Sequence, residues 1–275
     1  MSGSRYVLEH NKDGAMHESV IYELDCGVAH IRLNQPDKRN AVDEVLTREL
    51  TECLLKAQAD PKVHVMLLTA AGNAFSAGGD LREFQQKLSQ PSLQVYDDGK
   101  ASAKLFKVLG ELTKPMIGAV NGAAFGGGCG LACACHIVVA SEKAKFGCTE
   151  VKLGLFPMVI LPMVRRVVGD RMAMQMSVTA AVLSADEAQR AGIVSRIVPH
   201  ERLEQEAMTL ARQVASYSPV ALRVGLEGFA QTTDMEYAKA VDYLNTLRVV
   251  AFQTQDLLEG ASAFLAKREP VWKGR

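Results

Sequence analysis

A stretch of 24 residues, 117–140, contains no Asp, Glu, Lys or Arg and constrains the fold of this chain more than any other feature. Its length alone would allow a helix to span a membrane. Glycine weakens helices, and five glycines crowd the middle of the stretch: Gly122, Gly126, Gly127, Gly128 and Gly130. We therefore expect a buried strand, a glycine turn and a short buried helix instead of a membrane span.

Composition places the chain among ordinary globular proteins. Its 275 residues include 31 basic and 31 acidic side chains, and 48% are hydrophobic, which excludes a disordered or collagen-like protein. A net charge of zero gives no overall electrostatic reason to expect a nucleic acid or an acidic membrane as partner. Six cysteines are too few for a disulfide scaffold at this length, so we expect a reducing compartment, the cytoplasm.

Strand-like and helix-like patterns alternate up to about residue 200, and this alternation predicts an α/β core. The predicted strands are residues 20–24, 28–33, 63–69, 115–120 and 137–140. We expect Asn40 to be the N-cap of the first helix and Asp60-Pro61 to end it, while Pro91 breaks a helical segment at 81–109. Beyond residue 200 the pattern is helical only. Helices are predicted there at 204–215, 219–231, 234–252 and 256–267, with Ser218 as the N-cap of the second.

Two glycine turns each follow a predicted strand and precede a predicted helix. The first reads A-F-S-A-G-G-D-L at residues 74–81, and the second reads N-G-A-A-F-G-G-G-C-G at residues 121–130. Free N–H groups at such helix starts attract an anion, and two turns facing each other would form an oxyanion hole around one carbonyl oxygen. Taken singly, each run is explained equally well by a tight turn or close packing. Neither contains a dinucleotide fingerprint, a P-loop or a nucleophile elbow.

Glu150 is the candidate acid/base residue because it lies in a largely apolar stretch, residues 146–157. Desolvation there would raise its pKa and suit it to proton transfer near neutral pH. The alternative is a surface glutamate paired with Lys152 or Arg166, and spacing alone favours that alternative.

Three cysteines and a histidine are close enough in the sequence to suggest a metal site. Cys129, Cys133, Cys135 and His136 lie on a short apolar helix that runs into a strand. Such a helix cannot direct four side chains with this spacing at one ion, so we expect buried packing and no metal site.

The motifs in their order and spacing resemble the crotonase (enoyl-CoA hydratase/isomerase) superfamily over about residues 18–272. The matching runs are P-D-K-R-N-A at 36–41, S-A-G-G-D-L at 76–81, N-G-x-A-x-G-G-G at 121–128 and F-G-x-x-E-x-x-L-G-x-x-P at 146–157. The resemblance implies a crotonase-like ββα spiral core at 18–200 and a C-terminal helical trimerisation region at 201–275. It also implies a homotrimer or homohexamer. Residues 1–17 are polar and lack the apolar run of a signal peptide, so we expect them to form a flexible leader.

The resemblance further implies an acyl-CoA substrate whose thioester carbonyl is held by the N–H groups of Ala77 and Gly127, with Glu150 as acid/base. It implies no metal and no cofactor beyond the CoA that the substrate carries. The residues implied in CoA or substrate binding are Lys38, Arg39, Ala41, Ser76, Ala77, Gly79, Asp80, Leu81, Gly127, Phe264 and Lys267. In this family the C-terminal helix of Phe264 and Lys267 often completes a neighbouring subunit's site. A solvated charge near a helix end explains Lys267 equally well.

This chain departs from the family where hydratases carry their second glutamate, because position 130 is Gly130. One carboxylate suffices to shift a double bond between carbons. Hydration also needs an activated water, which Glu150 alone could provide, or a second base such as Glu83, Asp97 or Asp98. We expect an enoyl-CoA hydratase, with isomerisation as the alternative. A non-catalytic CoA-binding relative, or a hydrolase or decarboxylase, are further possibilities.

Overall fold

The structure, a computed structural model, describes residues 19–275, and the leader expected at 1–17 lies outside the described residues. The strands are β1 (Val20–Asp25), β2 (Val28–Leu33), β3 (Val65–Ala70), β4 (Ala74–Ser76), β5 (Met116–Val120), β6 (Ala123–Phe125), β7 (Ile137–Ser141), β8 (Lys145–Gly147), β9 (Val182–Ser184) and β10 (Arg196–Val198). The helices are α1 (Glu44–Ala59), α2 (Leu81–Lys87), α3 (Ser92–Gly110), α4 (Gly127–Ala134), α5 (Leu161–Thr179), α6 (Ala185–Arg190), α7 (Leu203–Ala215), α8 (Pro219–Thr232), α9 (Tyr237–Phe252) and α10 (Gln255–Leu265).

The larger sheet has six strands in the order β1-β2-β3-β5-β7-β10. β1 and β2 form the predicted antiparallel hairpin, and the pairs from β2 to β10 are parallel. Every residue of β3 and β5 is buried, as expected for parallel strands covered on both faces. The α/β core predicted from the alternating pattern is confirmed.

The structure also contains a smaller sheet, in the order β4-β6-β8-β9, which the sequence did not predict. Each of its strands has three residues, which is too short for a recognisable period-two pattern. β4, β6 and β8 run parallel, so their carboxyl ends lie at one edge of the sheet. The two glycine turns and Glu150 follow these three strands.

The cap predicted for the first helix is wrong. The α1 N-cap is Asp43, whose carboxylate accepts a hydrogen bond from the Leu46 N–H. Asn40 is fully buried, and its amide nitrogen donates to the Ala71 and Ala74 carbonyls at 2.9 Å. Both residue types are good caps, and here Asn40 ties together the loops that lead to the site.

The charge-free stretch folds as its glycines predicted. It forms the buried strand β5, the short strand β6, the glycine turn, the buried helix α4 and the strand β7. Among residues 19–275, no helix is long and apolar enough to cross a membrane. The segment at 81–109 is divided at Pro91 into α2 and α3, as predicted.

The C-terminal part is helical, as predicted, and α8 begins with Ser218 as N-cap and Pro219 as its first residue. α7 covers the larger sheet and buries Leu203, Ala207, Ala211 and Ala215 in a second apolar cluster. The three helices that follow carry large exposed apolar side chains: Phe229, Tyr237, Val249, Phe252, Phe264 and Leu265.

Candidate active site

The two glycine turns touch each other at the edge of the smaller sheet. A Cβ atom on Gly78 would lie 2.8 Å from the Phe125 carbonyl oxygen and 3.5 Å from Gly126 Cα, and Gly78 has a φ of +93°. Only glycine fits such a position, because any side chain would be both strained and obstructed. The contact holds the backbones of the two turns against each other.

Each turn includes a residue that lines the cavity and whose backbone N–H has no hydrogen-bond acceptor within residues 19–275. Gly127 is the first residue of α4, so its N–H has no acceptor in the helix. In the other turn that N–H belongs to Gly79. The backbone bridge between Gly79 and Val42 uses the Gly78 carbonyl, which accepts a hydrogen bond from the Val42 N–H. Both residues line one cavity.

The Ala77 N–H, predicted as the donor of the first turn, is already occupied. It donates to the Arg39 carbonyl at 2.9 Å, and the Val42 N–H donates to the Gly78 carbonyl at 2.7 Å. The turn is thus paired with the loop before α1, and this pairing uses the Ala77 amide. The prediction of Ala77 as an oxyanion donor is contradicted, and Gly79 takes its place as the candidate.

Glu150 begins a short 3-10 turn after β8, and its carboxyl lies beside Gly126 of the second glycine turn. A Cβ atom on Gly126 would be 3.1 Å from Glu150 Oε1 and 3.7 Å from Gly78 Cα. Glu150 Oε2 is buried and has no hydrogen-bond partner among the described residues. The alternative of a paired surface glutamate is wrong, because Arg166 pairs with Asp234.

Burial raises the pKa of Glu150, since desolvation penalises the ionised carboxylate. No basic side chain among residues 19–275 forms an ion pair with it to offset that cost. A carboxyl of this kind exchanges protons closer to neutral pH than an exposed glutamate does.

The raised pKa predicts how stability depends on pH. The unfolded chain loses the Glu150 proton first, so this group lowers the free energy of unfolding as the pH rises from the ordinary glutamate pKa to the folded pKa. Below that window Glu150→Gln and wild type should be equally stable, and above it the variant should be more stable. Urea unfolding of both proteins across the pH range measures this. A variant less stable than wild type at neutral pH would contradict the burial argument.

A cavity of about 770 Å³ opens over the two amides and Glu150. It brings together most of the residues implied in binding: Lys38, Arg39, Ala41, Ala77, Gly79, Asp80, Leu81, Gly127 and Glu150. Ser76 does not reach it, because this residue is fully buried and its Oγ accepts a hydrogen bond from the Gly78 N–H at 3.3 Å. Phe264, which is 84% exposed, and Lys267 do not line this cavity either.

The cavity lining is both charged and apolar. Four cationic side chains, Lys38, Arg39, Arg82 and Lys152, line it together with Asp37 and Asp80. The lining also includes large apolar side chains, a feature that the motifs did not reveal: Phe84, Phe106, Leu155, Phe156, Met158 and Ile160. The apolar run after Glu150 was the available signal, but core packing explained that run equally well.

Position 130 supplies no second carboxylate beside Glu150, although Asp37 and Asp80 also line the cavity. Position 130 has no room for one, because a Cβ atom on Gly130 would lie 2.8 Å from Ile160 Cβ and 2.9 Å from Phe106 Cε1. The three acidic residues considered as substitutes lie outside the cavity lining. They are engaged elsewhere: Glu83 with the Glu44 N–H, Asp97 with Lys100 and Asp98 with Gln94.

The three cysteines of this cluster are part of the core, as predicted, whereas His136, also expected to be buried, is exposed just before β7. Cys129, Cys133 and Cys135 are at most 9% exposed, and His136 Nδ1 accepts a hydrogen bond from the Met116 N–H. Within residues 19–275, no three His, Cys, Asp or Glu side chains are grouped so that they could hold a metal ion.

The fold, the paired turns and the half-buried Glu150 together define a protein of the crotonase superfamily. A family model described as enoyl-CoA hydratase/isomerase matches residues 23–275, and the chain belongs to that family. It is 37% identical to the mitochondrial enoyl-CoA hydratase of Pongo abelii, over 94% of this chain and 89% of that protein. It is 35% identical to the 2,3-dehydroadipyl-CoA hydratase of Escherichia coli, over 89% and 94%. A crystal structure of enoyl-CoA hydratase from Bacillus anthracis superposes with a TM-score of 0.88 at 30% identity, covering 94% of this chain and all of that one.

Proposed function

We propose that this protein adds water across the double bond of a 2-enoyl-CoA, with the Gly79 and Gly127 amides as oxyanion hole and Glu150 as acid/base. The observation that carries the proposal is the buried, unpartnered Oε2 of Glu150, in a carboxyl that lies beside Gly126 of the second glycine turn. Leaving such a group without a partner is costly, and a substrate proton or an attacking water would supply one.

The proposed reaction needs one carboxylate. Attack of water on the third carbon of the acyl group moves electrons onto the thioester oxygen, where two N–H donors stabilise the enolate. Glu150 accepts the proton of the attacking water and delivers a proton to the second carbon. The hydroxyl and the hydrogen of one water are thereby added, and Glu150 returns to its starting state.

The cationic side chains of the cavity suit the phosphates of CoA. Lys38 and Arg39 line the cavity, and the Arg39 carbonyl accepts a hydrogen bond from the Ala77 N–H of the turn that carries Gly79, which supports a CoA position across that turn. The Lys38 Nζ atom also forms an ion pair with Asp43 at 3.0 Å, which holds the ammonium group in place.

A homotrimer or homohexamer completes the proposal. The exposed apolar side chains on α8, α9 and α10 support burial against another copy of the chain. In such an assembly Phe264 and Lys267, which lie outside their own chain's cavity, would reach the CoA of a neighbouring subunit. The cysteines are free thiols, which fits a reducing compartment such as the cytoplasm.

Isomerisation of a 3-enoyl-CoA to a 2-enoyl-CoA is the second candidate. The apolar side chains at Gly130 favour it, because they occupy the space that a carboxylate at position 130 would need. Glu150 would then remove a proton from the second carbon and return it to the fourth. No water would enter the product.

A panel of 2-enoyl-CoA and 3-enoyl-CoA thioesters tests both candidates. Hydration is expected to abolish the ultraviolet absorbance of a conjugated 2-enoyl thioester and to give a 3-hydroxyacyl-CoA by mass spectrometry. Appearance of that absorbance from a 3-enoyl thioester, without hydration, would replace the first candidate by the second. Binding without turnover of any thioester would indicate a non-catalytic relative. Release of free thiol or carbon dioxide would indicate a hydrolase or a decarboxylase.

A further inference from the structure

Two side chains from distant parts of the chain fill the space above Gly130. Phe106 comes from α3 and Ile160 precedes the first turn of α5, and both would contact any side chain at position 130. Ile160 is 3% exposed, yet it and Phe106 line the cavity. We call the two together the apolar wall.

The apolar wall stands close to the reacting atoms. Gly130 lies three residues after Gly127 on α4, which is about 4.5 Å along the helix axis. Gly126, the residue before that amide, adjoins the Glu150 carboxyl. The apolar wall therefore lies only a few bond lengths from the position where the Gly79 and Gly127 amides would hold a thioester oxygen.

The wall is held rigidly. The Ile160 carbonyl accepts the Val164 N–H at 3.0 Å, and the Leu161 N–H donates to the Pro157 carbonyl at 2.9 Å. On α3, Leu105 and Leu109 are almost fully buried and anchor the helix that carries Phe106. A bulky acyl group cannot move such a wall aside without disturbing core packing.

We propose that Ile160, backed by Phe106, is a specificity-determining residue that excludes acyl groups branched at their third carbon. This inference rests on the proposed function, because it takes the carbonyl position from the Gly79 and Gly127 amides. A straight acyl chain passes beside the wall along the apolar lining formed by Leu155 and Met158. A methyl branch on the third carbon would meet Ile160, so the substrate class is 2-enoyl-CoA without a branch at that carbon.

The test compares wild type with Ile160→Ala on 2-butenoyl-CoA and 3-methyl-2-butenoyl-CoA. Removing methyl-sized groups from a pocket changes discrimination by about tenfold or more. We expect the ratio of kcat/KM for the branched to the straight substrate to rise by about that factor in Ile160→Ala. Val159→Ala is the matched control, since Val159 lines the same cavity but is not among the atoms nearest to the Gly130 Cβ position. Its ratio should stay unchanged.

Calorimetry can measure the binding of the saturated thioesters butanoyl-CoA and 3-methylbutanoyl-CoA. This binding does not depend on catalysis, so it tests the specificity inference independently of the proposed reaction. If Ile160→Ala increases the affinity for the branched thioester relative to the straight one, the role of Ile160 in specificity is supported even if no thioester is turned over. Equal ratios in wild type, Ile160→Ala and Val159→Ala, in binding or turnover, overturn it. Ile160→Val, expected to shift the ratio in the same direction by less, replaces the alanine variant if that variant does not fold.

Discussion

Glu150→Gln is expected to lower kcat by about a hundredfold or more, the contribution typical of a positioned general acid or base. Glutamine keeps the size of the side chain but can neither accept nor deliver the proton. Because Glu150 belongs to the reacting end of the cavity, the affinity for a saturated acyl-CoA should change little. Loss in kcat without loss of ligand affinity is the signature of an interaction made in the transition state.

Glu83→Gln is the matched control. Glu83 is a glutamate on α2 outside the cavity lining, and its carboxylate accepts a hydrogen bond from the Glu44 N–H at 3.0 Å. Its replacement should leave kcat near the wild-type value. Equal kcat values for Glu150→Gln and wild type would end the catalytic proposal, whereas a large loss in Glu83→Gln would identify a second base that moves into the site.

Gly78→Ala is expected to reduce kcat/KM by about 10²–10³-fold, the effect of losing one oxyanion donor. The new methyl group would lie 2.8 Å from the Phe125 carbonyl oxygen, so the two glycine turns must separate. Separation moves the Gly79 amide away from the Gly127 amide. The positive φ adds backbone strain of about 1–2 kcal/mol, which should also lower the free energy of unfolding.

Gly169→Ala is the control that distinguishes the effect of backbone strain from the effect of separating the two glycine turns. Gly169 has a φ of +75°, and no heavy atom lies within 4 Å of its Cβ position. It does not line the cavity. This variant should lose stability while its kcat/KM stays close to wild type. Equal losses of kcat/KM in both variants, or none in Gly78→Ala, would contradict the paired-turn oxyanion hole.

The absence of a glutamate at position 130 has a structural cause. A glutamate at position 130 would require Ile160 and Phe106 to move, and both belong to elements that extend into the core. Replacing Gly130 alone would therefore overpack the core without giving the site a usable second base.

Much of the architecture could be predicted from the sequence because its causes are local. The β1–β2 hairpin, the break at Pro91 and the Ser218 cap follow from the residues at those positions. The strands of the smaller sheet could not be predicted, because three residues carry too little pattern. Asn40 failed as a cap for a different reason: its partners, Ala71 and Ala74, lie more than 30 residues away.

By itself, the sequence determined the α/β core, the two glycine turns and Glu150 as the acid/base candidate. Periodicity and glycine spacing express backbone preferences, which act within a few residues. Only the tertiary structure decided which amides remain free, since the Ala77 N–H is used by Arg39. It also decided that Glu150 is unpaired and that Ile160 occupies the space at Gly130. Hydrogen bonding, desolvation and packing depend on atoms that the fold brings together from distant segments, and no local pattern records them.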